Sequence, residues 1–249
     1  MKFLPGFLRK LLSIILRNYK FWKQFRHLKA LQEGHAVRFS LSWQHRYPCL
    51  DDNTSYTAYD RHYVLHTAWA ARVLNSIKPE LHHDVSSSLY FNAIISAFIP
   101  VKFYDFRPAK MEIPNLETNT GNLLNLPFES GSISSLSCMH TIEHVGLGRY
   151  GDSMDYDGDL KAINELKRVV RSGGDLLVVV PVAYQPVIRF NAHRIYAAEQ
   201  FISYFEGFQL MEFCLIPENE SEGEFVINPP AGLMERSQYD CGCFWFRKL

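Results

Sequence analysis

Three stretches decide the fold: Ile133-Ser134-Ser135-Leu136-Ser137-Cys138-Met139, the segment Leu160 to Val170, and Leu176-Leu177-Val178-Val179-Val180. The first has the length and side chains of a strand. The second carries apolar residues at helical spacing behind Asp157 and Asp159, acids that suit a helix start. Ser172-Gly173-Gly174 predicts a left-handed stop for that helix. The third is a continuous apolar run, the pattern of a parallel strand buried on both faces.

Outward from this centre the alternation continues. Upstream, Leu81 to Val85 and Val101 to Asp105 read as strands on either side of a helix at Leu89 to Phe98. Downstream, a helix at Ala197 to Phe205 precedes strands at Phe208 to Ile216 and Cys243 to Arg247. Strand and helix alternating in this way predict a doubly wound α/β sheet. Residues 61–77 form a further helix that stops before Pro79, and Glu33 to Asp60 is a polar, aromatic connector with turn signals at Pro48, Asp51, Asp52 and Asn53. The expected organisation is an amphipathic arm at 1–32, a connector and lid-like helical segment at 33–78, and the α/β domain at 79–249.

The 249 residues are 47% hydrophobic and 21% charged, enough for one large core, which excludes disorder and collagen-like repeats. Basic and acidic residues balance at 26 each, so a broadly basic nucleic-acid binder is also excluded. The balance is uneven along the chain. Residues 1–32 hold eight basic side chains (Lys2, Arg9, Lys10, Arg17, Lys20, Lys23, Arg26 and Lys29) and no acid, leaving 18 bases against 26 acids in the rest. On a helical wheel Leu4, Phe7, Leu8, Leu11, Leu12, Ile14, Ile15, Tyr19, Phe21, Trp22 and Phe25 share one broad face opposite most of these bases. The longest apolar run, Leu11 to Leu16, is too short for a membrane span or a signal core. The pattern fits a helix lying on an anionic membrane surface, because its polar face has no acidic partner; a partner-protein groove or packing on its own domain are the alternatives.

Five scattered cysteines, Cys49, Cys138, Cys214, Cys241 and Cys243, lack the spacing of a disulfide scaffold and point to a reducing compartment. Cys241 and Cys243 have no paired Cys or His at zinc-site spacing, so they read as packing of a terminal strand and no metal is expected.

Leu126-Pro127-Phe128, then Met139-His140-Thr141-Ile142-Glu143-His144-Val145, then Arg168-Val169-Val170-Arg171-Ser172-Gly173-Gly174 resemble the centre of class I S-adenosylmethionine-dependent methyltransferases. More narrowly, Glu143 to Asp152, Phe190 to Arg194 and Cys241 to Phe246 are similar to an uncharacterised methyltransferase-like family of nematodes and of bacterial surface-polysaccharide gene clusters. The resemblance covers roughly residues 80–247. It implies a Rossmann-like, mostly parallel seven-stranded sheet of order 3-2-1-4-5-7-6, with ligand at the carboxyl ends of the strands. It also implies S-adenosylmethionine as cofactor, held by Asp84, Ser86, Asp105, Asn122, Leu123 and the backbone near Met139 and His140. The family's first turn is glycine-rich, whereas this chain has Ser86-Ser87-Ser88, which lacks glycine's clearance.

Methyl transfer needs alignment of donor and acceptor and a base for the acceptor hydroxyl. His144 and His193 are the candidate bases, with Glu143 as the group that orients a histidine; each histidine reads equally as one satisfied at a helix start. Arg149 and Tyr150, in a glycine- and aspartate-rich loop, and Asn191 and Arg194 are the candidate acceptor contacts, Arg149 for a phosphate or carboxylate. The expected activity is methyl transfer to a small-molecule or lipid-linked sugar or sugar-phosphate of a surface polysaccharide precursor. It would take place in the cytoplasm, on or near the inner membrane face. The alternative is an inactive methyltransferase fold serving as a scaffold in glycan assembly.

Overall fold

The computed structural model describes residues 6–249; the expectations for Lys2 and Leu4 lie outside the described residues. The chain divides into two units, one ending at Ala58 and the other spanning Tyr59–Leu249. In the first, helix α1 (Gly6–Gln32) buries none of its residues. Phe21 and Phe25 lie against Trp43, with ring centroids 5.8 and 5.0 Å away. Phe7, Leu8, Leu11, Ile14, Ile15, Tyr19 and Trp22 remain exposed. The basic face does gain an acidic partner, because the connector folds back and Asp51 pairs with Arg17. No described helix is long and apolar enough to cross a membrane.

The second unit is a three-layer α/β domain. Its strands are β1 (His82–Val85), β2 (Val101–Asp105), β3 (Leu116–Thr120), β4 (Ile133–Met139), β5 (Val170–Val182), β6 (Val187–Arg189), β7 (His193–Ile195), β8 (Phe208–Ile216), β9 (Val226–Ile227) and β10 (Asp240–Lys248). Eight of them form one sheet in the order β3-β2-β1-β4-β5-β10-β8-β9, and β6 and β7 make a separate ribbon. β1 to β5 run parallel, while β10 inserts antiparallel between β5 and β8. The sheet thus has one strand more than the expected seven, the two-residue β9 on its edge. β3 escapes the sequence pattern because it is an edge strand of Leu-Glu-Thr-Asn-Thr with only Leu116 buried.

Helices α2 (Arg61–Ile77) and α3 (Leu89–Ile95) cover one face, where Trp69, Leu74, Phe91 and Ile95 pack on Phe103, Val179 and Cys243. Helices α4 (Gly158–Val169) and α5 (Ala198–Ser203) cover the other, with Leu166, Phe201 and Phe205 against Val178, Phe244 and Phe246. α2 is therefore part of the domain's core rather than of the connector. β5 is buried throughout from Leu176 to Val182, as its unbroken apolar run requires.

One stop signal works differently from its sequence reading. α4 ends at Val169, and Val170 is already extended. Gly173, at φ 73°, lies inside β5, where the pairing with β4 skips from Val170 opposite Ile133 to Asp175 opposite Ser135. The glycines make a bulge that bends the strand. The carbonyls of Lys167 and Val170 at the helix end accept instead from Lys248 Nζ.

A short α6 (Ala231–Met234) lies ahead of β10. Its neighbour in sequence, Tyr239, enters the site described next.

Candidate functional site

The carboxyl ends of β4 and β5 open into a cavity of about 640 Å³. The start of α2 supplies Asp60, Arg61, His62 and Tyr63; the turn after β4 supplies His140, Glu143 and His144; the loop beyond it supplies Arg149 and Tyr150. His193 comes from the β6–β7 ribbon, Glu218 and Glu220 follow β8, and Tyr239 precedes β10. This is where parallel α/β sheets bind ligands, because loops from both halves of the sheet converge there.

The local structure explains why these side chains meet. Thr141 and a short 3-10 turn at Ile142–His144 reverse the chain after β4, placing Glu143 and His144 beside His140, whose φ is 54°. Glu143 is 1% exposed; one carboxylate oxygen accepts from His140 Nδ1 at 2.9 Å and the other is buried without a partner. His144 Nδ1 lies 2.6 Å from the Ala192 carbonyl, which can only accept, so Nδ1 donates and Nε2, 3.8 Å from the Glu143 carboxylate, is the nitrogen left for proton exchange. His193 Nε2 is buried and unpartnered. Burial lowers the His193 pKa, and the neighbouring His144, Arg189 and Arg149 lower it further against the pull of Glu143, which favours the neutral imidazole.

A second group of rings surrounds His140. Tyr63 and His62 stack on it at 5.4 and 6.1 Å, and His66 meets it edge-on at 4.9 Å. Cys241 Sγ is 3.5 Å from His140 Nε2 and 3.9 Å from Cys243 Sγ. Burial opposes charge on both partners. The neighbouring Cys241 and Glu143 nevertheless raise His140, while Cys243 and the imidazoles of His140 and His62 lower Cys241. Each of the two groups thus favours charge on the other, with the Glu143 carboxylate behind His140.

The loop after His144 is rigidified from inside. The Asp152 carboxylate accepts from the backbone of Gly146, Gly148 and Tyr150. Asp155 pairs with Lys161, and Asp159 bonds Tyr196 and pairs with Arg194. A Cβ at Gly146, which has φ 82°, would stand 2.1 Å from the Asp155 carbonyl, so only glycine serves there. Tyr150 is flanked by the guanidinium groups of Arg107 and Arg149 at 5.6 and 5.1 Å from its ring centre.

Of the residues expected from sequence, His140, Glu143, His144, Arg149, Tyr150 and His193 come together in the cavity. Arg194 faces inward instead, 5% exposed, donating to the carbonyls of Val145, Asp155 and Tyr156 and so bracing the loop. Asn191 is exposed and outside the cavity lining. Asp84 is completely buried; it accepts from the Ser87 amide, the Asn92 amide group and the Ser137 hydroxyl, and burial raises its pKa against those bonds. It therefore shapes the first turn from beneath. Leu123 and Met139 are core side chains, and the Met139 amide donates to Ser87 Oγ.

Ser86, Asp105 and Asn122 lie at the carboxyl edge of the sheet. Ser86 adopts φ 58°, the left-handed conformation that a glycine takes at such a turn. One Asp105 oxygen accepts from the Arg107 amide, leaving the other for a diol, and the Asn122 oxygen accepts from the Leu124 amide, leaving its NH2 outward. The adenosine half of S-adenosylmethionine therefore fits the residues present: the turn has glycine geometry, and a strand-end carboxylate and an amide are available. At the methionine end the Ser86 carbonyl accepts from Thr141 Oγ1 at 2.9 Å, which ties the first turn to the turn after β4.

His62, Tyr63, Glu218 and Tyr239 carry no signal as site residues in the sequence, and Cys241 reads there as strand packing, because they lie on α2, after β8, just ahead of β10 and on β10 and meet only through the fold.

Residues 130–228 match the family described as Caenorhabditis protein of unknown function, DUF268. An uncharacterized protein of Methanocaldococcus jannaschii, MJ0638, is 32% identical over 126 residues, 47% of this chain and 48% of that one. The chain thus spans about half the length of this curated relative. Among solved structures, the [4+2]-cyclase SpnF is 14% identical with a TM-score of 0.50, over 72% of this chain and 81% of that one. The 1,6-didemethyltoxoflavin-N1-methyltransferase of Burkholderia thailandensis is 10% identical with a TM-score of 0.51, over 74% and 78%. Likeness at such identities speaks for the fold and not for the reaction. The chain has an α/β Rossmann-like fold that resembles the class I S-adenosylmethionine-dependent methyltransferases.

Proposed function

We propose that the chain is an S-adenosylmethionine-dependent methyltransferase whose acceptor, a hydroxyl of a sugar or sugar-phosphate in a surface polysaccharide precursor, occupies the histidine-lined cavity. The observation that carries this reading is the pair of imidazoles, His144 with Nδ1 committed to the Ala192 carbonyl and His193 with an unpartnered Nε2, in a cavity beside the turn that follows β4. Ser86, Asp105 and Asn122 would hold the cofactor, which supplies an electrophilic methyl group when bound. Asp84 keeps the first turn in shape through its bonds to Ser87 and Asn92. His144, fixed by the Ala192 carbonyl, accepts the acceptor hydroxyl's proton at Nε2, with His193 as the second candidate base. Arg149 offers its guanidinium to a phosphate. Membrane attachment through the exposed apolar side chains of α1 suits a lipid-linked acceptor.

Calorimetry of the full chain with S-adenosylmethionine tests the reading: saturable binding is expected, and Asp105→Ala should remove it. No heat at millimolar cofactor would leave the second reading, a scaffold subunit in glycan assembly, which the Ser86–Thr141 tie across the methionine end favours.

A further inference from the structure

We infer that His62, His140 and Cys241 form a binding site for a divalent transition metal of the zinc class. One ligand atom from each, a ring nitrogen or the thiol sulfur, lies within 4.8 Å of the other two. The Cys241 Sγ to His140 Nε2 distance of 3.5 Å equals the S···N edge of a tetrahedral zinc site, about 3.5 Å for Zn–S and Zn–N bonds of about 2.3 and 2.0 Å. Two imidazoles and a thiolate select zinc, cobalt or copper over magnesium or calcium, which require oxygen donors.

Two further observations point to an ion. His140 Nδ1 donates to the Glu143 carboxylate at 2.9 Å, so Nε2, the ring nitrogen facing Cys241 Sγ, is the one left to bind an ion, which displaces the proton shared there. A carboxylate behind a histidine in this way is the usual outer shell of a metal ligand. His62 is 6% exposed, and its Nε2 is buried without a hydrogen bond although a Glu218 oxygen lies 3.3 Å away. That carboxylate is available as a fourth donor. Cys241 is fully buried, which suits a ligand and does not suit a nucleophile that must meet substrate. His62, His140 and Glu218 line the cavity, so a bound ion borders the space assigned to the acceptor. The ligands sit on α2, after β4 and on β10, which explains why no spacing motif reveals them.

The test is Co2+ titration of the full chain after dialysis against a chelator. One ion per chain is expected, with the intense visible bands of tetrahedral cobalt and a thiolate-to-cobalt charge-transfer band that Zn2+ displaces. Cys241→Ser should lose the charge-transfer band, while Cys49→Ser, an exposed thiol in the other unit, should retain it. Glu143→Gln should weaken binding about 10- to 100-fold. Absence of the band in the unaltered chain, or its persistence in Cys241→Ser, overturns the proposal. If Cys241→Ser does not fold, His62→Gln replaces it, and unchanged affinity there is equally fatal. The readout is the metal alone, so it is independent of whether S-adenosylmethionine binds.

Discussion

Acidification should weaken the domain through His82, and the size of the effect follows from its surroundings. His82 has no exposed surface and lies between two hydroxyls of β4, Ser135 Oγ at 2.7 Å from Nδ1 and Ser137 Oγ at 2.9 Å from Nε2. Ser137 gives its only proton to Asp84, so His82 must donate from Nε2 and accept at Nδ1 from Ser135. Burial, reinforced by His83, lowers its pKa to about 3. The unfolded chain protonates this residue near pH 6.5 and the folded chain does not, so stability falls as pH drops through the window from 6.5 to 3. With those two values the loss between pH 7.5 and pH 5.0 is about 2 kcal/mol, from 1.36 kcal/mol for each unit over which only the unfolded state takes up the proton. Urea unfolding of the full chain and of His82→Gln at both pH values measures it. Glutamine keeps one donor and one acceptor but does not titrate, so the variant's pH dependence should be smaller by about that 2 kcal/mol. Equal pH dependence in the two proteins would refute the argument.

Further outcomes follow from the loop and the sheet. Arg194→Ala leaves Asp159 buried without its cation and removes the braces on Val145, Asp155 and Tyr156; it should lower stability by about 3–5 kcal/mol, read as a fall in unfolding midpoint. A Cβ in Gly242→Ala would stand 2.6 Å from Val182 Cγ1 and 2.8 Å from the Phe244 ring, so β10 must shift, at about 1–3 kcal/mol in thermal or urea unfolding. A chain beginning at Arg38 should no longer co-sediment with anionic vesicles that retain the full chain; undiminished sedimentation would remove α1 as the anchor.

Much of the central sheet was legible because its strands announce themselves by composition. Leu176 to Val180 reads as a strand covered on both sides because the apolar run is short and rich in β-branched valine, and Ile133 to Met139 with the helix behind it sets the parallel pair beside it. β3 and β9 were not legible, since edge strands bury too little to need an apolar pattern. In the site, the segment from His140 to Tyr150 and the ribbon residue His193 stand out because they lie in turns next to strand ends. Arg194 shares that ribbon but points the other way, into the loop, and no one-dimensional pattern distinguishes the two. Asp84 looked like a ligand contact, yet three hydrogen bonds hold it inside the protein.

What the sequence determined by itself, then, is the periodicity of each element and the placement of charge: a basic arm ahead of an acidic α/β body, and polar residues clustered where strands end. Local backbone geometry and solvent exposure fix these, and both act over a few residues. What only the tertiary structure decided is which side chains share a volume. Cys241 meets His140 and His62 across 101 and 179 positions of chain because β10 inserts beside β5 and α2 packs over the end of β4. Long-range packing sets that encounter, and no spacing rule along the chain encodes it.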